Sequence, residues 1–274
     1  MILQKLLRRL LSTAALCLAA CGETNAPPGN GDGGTGGPDS GTPQEPQGNA
    51  RIPAYLKASP YSRLVLEVDS TEGFAPRASV ESAVLDTLRG VVAKPDGVLV
   101  TRDQTLPRKG STYEWTQSEL FQLADTTFTL PRAAGTVRMH VLFLDGQFNG
   151  GQVLGLAWGS THLVVFKETL ERGCRSGLGS TLGDRVCEAA EQGVWVHELG
   201  HLLGLVNNGL PMVSQHQDAA HPGHDGNDGC VMYWAFDTSS SLDKVARQLL
   251  GGEAVNLQFD DACKADLAAG RAAP

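Results

Sequence analysis

Aromatic residues make up only 6% of this 274-residue chain, and no basic run interrupts its acidic balance. With 30 Asp and Glu against 22 Lys and Arg the formal charge is −8, which argues against a nucleic-acid partner. No apolar run approaches the roughly 20 residues that a membrane-spanning helix requires. Histidine is scarce as well, seven in all, so its distribution matters: five of the seven lie between 197 and 224. No internal repeat is apparent.

The ends are more telling than the bulk composition. Lys5, Arg8 and Arg9 form a positive start, and Leu10 to Ala20 is an apolar stretch of signal-peptide length. The segment closes on Leu18-Ala19-Ala20-Cys21-Gly22, which resembles the lipobox of bacterial lipoproteins, with Cys21 as the lipidated first residue. Small residues suit ordinary secretory cleavage too, so that route stands as the alternative. Removing the signal takes three cations and no acid, leaving the mature chain more acidic still. Residues 21–50 are rich in Gly and Pro and nearly free of apolar side chains, so they cannot repay the entropy of folding. They read as a disordered tether between the anchor and a domain spanning 51–274. The expected location is therefore the cell envelope, at the outer membrane or cell surface, with the lipid as the only membrane contact. Cys17 leaves with the signal and Cys21 is lipidated. Cys174, Cys187, Cys230 and Cys263 remain, an even number that implies two disulfides in one of three pairings.

Within the body, Arg63–Asp69 alternates like a strand and Ser79–Val92 has helical periodicity. Gly97–Val100 is a second strand, Ser118–Ala124 a helix, and Thr136–Leu144 a third strand, central because its second half is continuously apolar. Val153–Trp158 and His162–Phe166 are further strands, the former at the sheet edge. A segment near 183–193 leads into one more helix. Strands alternating with helices predict an α/β (α+β) fold in one domain.

That last helix carries the densest chemistry. His197-Glu198-Leu199-Gly200-His201 lies between Val194-Trp195-Val196 and Leu202-Leu203-Gly204-Leu205. At 3.6 residues per turn the two histidines share a face and can grip one Zn²⁺, with the glutamate between them placed to work on a water. A core helix with two solvated histidines would also satisfy the pattern, but Gly204 falls where such a helix must stop.

These residues resemble the metzincin clan of zinc peptidases, whose motif H-E-x-x-H-x-x-G is matched by His197, Glu198, His201 and Gly204. The clan's usual third-ligand position is here Asn207, a poor zinc ligand. Further on, His224, Asn227, Cys230 and Met232 fall on the archaemetzincin pattern H-C-x-N-x-x-C-x-M, with Asp225 in place of its first cysteine and residues 206–223 as an insertion. The resemblance implies His224 as third ligand and Met232 as the Met-turn beneath the metal. It also implies a metzincin-like zincin fold with a mixed, twisted sheet and a C-terminal Met-turn subdomain. His216 and His221 compete with His224, or form a second metal site with Asp218. The region around Cys263 is similar to the family's last cysteine motif, but Asp260 stands where a cysteine would. With two of four cysteines gone, a structural Cys₄ zinc site is not expected. Cys230 with Cys263 is then implied as a disulfide, leaving Cys174 with Cys187.

The implied protein is a monomeric zinc endopeptidase with one catalytic ion. Glu198 serves as general base, and an extended peptide or protein substrate pairs with the edge strand. Two other readings stand beside it: a surface binding or adhesion module whose zinc is structural or silent, and a hydrolase of another amide, such as peptidoglycan stems.

Overall fold

The computed structural model describes residues 44–273 except 152, 177 and 178. The signal segment and Cys21 lie outside the described residues, as does most of the tether. Residues 44–50, assigned to that tether on composition, belong to the folded body. Glu45 is buried and bridges the guanidinium groups of Arg51 and Arg138, each at 2.8 Å. A single carboxylate with two cationic partners offsets the cost of its own burial.

In chain order the elements are α1 (Arg51–Leu56), β1 (Arg63–Thr71), α2 (Ala78–Val91), β2 (Val98–Leu106), β3 (Glu114–Trp115) and α3 (Gln117–Thr127). There follow β4 (Thr136–Leu144), β5 (Gln147–Phe148), β6 (Gly155–Trp158), β7 (His162–Phe166), α4 (Lys167–Arg175), α5 (Ser180–Leu202), α6 (Ser240–Leu250) and α7 (Asp261–Ala272). The main sheet has the order β2-β1-β4-β7-β6. Its first four strands run parallel, and β6 pairs antiparallel with β7 at the edge. The fold is thus a mixed α/β sheet, as expected, with the uniformly buried β4 at its centre.

Alternation along β4 divides the core. Val137, Met139, Val141 and Phe143 face the larger apolar cluster, which α2 and α5 complete. Leu142 and Leu144 face a smaller cluster closed by Leu120 and Ala124 of α3. Trp195 of α5 meets Phe143 edge to face, with ring centroids 4.9 Å apart. This packing fixes α5 across the sheet, two residues before its histidine pair begins. The segment near 183–193 is no separate element; it is the first half of α5, which runs unbroken for 23 residues. Cys174 and Cys187 form a disulfide that ties α4 to α5.

The second expected disulfide is not formed. Cys230 and Cys263 are both free and buried, with their Sγ atoms 3.8 Å apart, far beyond the roughly 2.05 Å of an S–S bond. Each thiol has other partners. Cys230 Sγ accepts from the backbone N–H groups of Met232 and Asp260, and Cys263 lies 3.6 Å from Asp225.

Candidate metal centre

The C-terminal end of α5 builds the site. The helix closes with a reversed turn: Gly204 N–H donates to His201 O and Leu205 N–H to Gly200 O. Gly204 adopts φ +79°, and a Cβ there would come within 2.5 Å of Ile52 Cδ1 and 2.9 Å of Leu210 N. Only glycine combines that conformation with that closeness. The chain therefore turns away immediately, and Asn207, in the left-handed region and exposed, is carried off from the histidine face.

The chain returns through a loop that brings His224 to the helix. The loop is pinned by Asp225 N–H to Met232 O, Gly226 N–H to His216 O, and Val231 N–H to Gln258 O. The possible ligand atoms of His197, His201 and His224 all lie within 4.8 Å of one another. The Nε2 atoms of His197 and His201 are 3.1 Å apart. His216 is elsewhere, held between Asp225 (2.7 Å) and Asp266 (2.9 Å). His221 bonds Asp218 at 2.7 Å and stacks on Trp234. Among the described residues, no metal-binding group joins either histidine to Asp218.

The donor chemistry suits Zn²⁺. His197 Nδ1 donates to Val231 O at 2.8 Å, which fixes the tautomer and leaves the Nε2 lone pair free. Both ring nitrogens of His224 and Oε1 of Glu198 are buried with no hydrogen-bond partner among the described residues. Burial, reinforced by the neighbouring imidazoles, pushes His197 well down and His201 to about 3, so both are neutral and ready to bind a cation. Burial, and then the charge of Asp237, pushes Glu198 well above the usual carboxylate range.

Met232 is fully buried, and its Sδ lies where a Cβ on Gly200 would project. Gly155 of β6 does the same for the base: a Cβ there would sit 2.5 Å from Glu198 Oε1. Two features escaped sequence reasoning. Asp237 approaches His224 Nε2 at 3.5 Å, an acid with no motif around it. Asp225, Cys230, Asp260 and Cys263 form a second group whose ligand atoms lie within 4.8 Å of one another, although two cysteines of the related pattern are replaced.

No protein-family model matches the chain, and no curated protein matches it. Among solved structures it is similar to the crystal structure of archaemetzincin from Methanopyrus kandleri, with 20% identity and a TM-score of 0.47. The match covers 76% of this chain and 96% of that one.

Proposed function

We propose that the chain is a zinc-dependent endopeptidase of the metzincin kind, anchored at the cell envelope through Cys21. The convergence of three histidines at the end of the helix that also carries the buried Glu198 carries the reading. Held by His197, His201 and His224, Zn²⁺ would supply Lewis acidity, polarising a scissile carbonyl and making a water acidic near neutral pH.

The protein's own groups do the rest. Glu198 takes the proton of the attacking water and returns it to the leaving amine. Val231 O keeps the His197 ring in one tautomer and orientation. The outer edge of β6 pairs with no other strand among the described residues, so an extended peptide can add there through its main chain. Gly155 lets the Glu198 side chain pack directly against β6, since a Cβ there would come within 2.5 Å of Glu198 Oε1.

The test is hydrolysis of mixed peptides by purified protein, before and after a chelator and again after zinc is restored. Cleavage should vanish and return. Zinc-loaded protein that cleaves nothing contradicts the reading. For the anchor, the mature N-terminal peptide should begin at a lipid-modified Cys21; an upstream start contradicts it.

A further inference from the structure

We propose that Asp237 and Trp234 form a subsite that selects a cationic side chain, a guanidinium or alkylammonium, next to the bond to be cut. The proposal rests on the peptidase reading above.

Trp234–Asp237 is a single 3₁₀ turn that begins two residues after Met232. Such a turn has three residues per revolution, so Trp234 and Asp237 share one side of it. Facing them are two loop residues at the same spacing, His221 and His224. The His221 ring lies parallel to Trp234, with centroids 4.5 Å apart and planes 12° apart. One turn on, Asp237 Oδ2 lies 3.5 Å from His224 Nε2. The acid is therefore at the rim of the three-histidine group, with the indole beside it. The turn is also stapled to the substrate-binding edge: Asp237 O accepts from the N–H of Leu154 at 2.7 Å, the residue before Gly155.

No lysine or arginine pairs with the Asp237 carboxylate among the described residues. Its side chain is 28% exposed, and His224 is its only ion-pair neighbour among the described residues. Neither ring nitrogen of His224 makes a hydrogen bond there. The nearest lysine on the following helix, Lys244, is engaged with Asp228 and lies over the rings of Tyr233 and Phe236. What remains is a part-exposed carboxylate beside a part-exposed indole, one face of which is covered by His221 and the other left for a partner, at the edge where a peptide would lie. A carboxylate pairs with a cation, and an indole face attracts one through its quadrupole. A neutral substrate side chain would leave the carboxylate without a cationic partner.

The experiment compares peptides that differ only in Arg against citrulline, or Lys against acetyl-lysine, at each position flanking the cleaved bond. One arm reads kcat/KM with the zinc-loaded protein. The other reads affinity for the zinc-loaded Glu198→Gln protein, which needs no hydrolysis. At one flanking position the cationic peptide should win by about tenfold in both arms, as a half-exposed ion pair plus a cation–π contact would give. Asp237→Asn should bring that ratio close to one while zinc content stays at the wild-type level, and Trp234→Ala should lower it in part. The proposal is overturned if no position discriminates, if Asp237→Asn leaves the ratio intact, or if that variant loses zinc. Discrimination in the binding arm without any cleavage upholds the subsite and contradicts the peptidase reading instead.

Discussion

Gly200 and Met232 occupy each other's space: a Cβ on Gly200 would overlap Met232 Sδ and come within 3.0 Å of Phe259 Cε1. The helix turn between His197 and His201 thus rests directly on the methionine. Gly200→Ala should therefore destabilise the fold by about 1–3 kcal/mol through overpacking, although alanine is the better helix former by roughly 1 kcal/mol. Thermal unfolding reads this directly. A drop of a few degrees is expected, and a rise would show that the contact is loose.

Met232 itself fills a fully buried position. Met232→Leu preserves volume and should cost less than about 1.5 kcal/mol, whereas Met232→Ala should cost about 2–5 kcal/mol. Chemical denaturation curves of the two variants separate these values. Equal losses would point to a role for the sulfur beyond filling space.

The two buried thiols give a covalent test of the fold. Alkylation of unfolded but unreduced protein, followed by peptide mapping, should label Cys230 and Cys263 and leave Cys174 and Cys187 unlabelled until a reductant is added. Protection of Cys230 and Cys263 before reduction would restore the disulfide that sequence resemblance implied.

His216 ties the inserted loop to α7 and to the strand-like segment at Asp225. Burial disfavours its charge, but the carboxylates of Asp266 and Asp225 outweigh that cost and raise its pKa above the ordinary histidine value. A histidine raised in the folded state contributes stability that is complete below its unfolded pKa of about 6.5 and is lost as pH rises through the folded value. The stability gap between wild type and His216→Gln should be widest at mildly acidic pH and shrink on passing into alkaline solution. A gap that widens with pH would show that the histidine is neutral in the fold.

Much of this was legible in the chain because local chemistry and tertiary role agree. The apolar run Val141–Leu144 reads as a central strand and is one, since a strand covered on both faces has no polar side to show. His197, Glu198 and His201 are neighbours on one helix, so 3.6-residue periodicity alone brings them together. His224 needed a pattern, because a loop closed by hydrogen bonds around Asp225 and Met232 has no period to read. The Cys230–Cys263 pairing failed for a related reason. The resemblance puts Asp225 and Asp260 in the places of two cysteines, but it does not show that these aspartates share the thiols' pocket. Asp237 left no trace at all. Its place depends on a 3₁₀ turn whose Asp237 carbonyl accepts from the N–H of Leu154, just ahead of β6, a contact that no residue type announces.

Glu198 is the group on which the proposed hydrolysis turns, and one comparison tests it. Peptide hydrolysis is measured for zinc-loaded wild type and zinc-loaded Glu198→Ala, with folding checked by circular dichroism and contaminating protease excluded. A general base at this position predicts a fall in kcat of about 10²- to 10⁴-fold, with zinc and fold retained. Undiminished hydrolysis by the variant would contradict the assignment of Glu198, and with it the mechanism built on the three histidines.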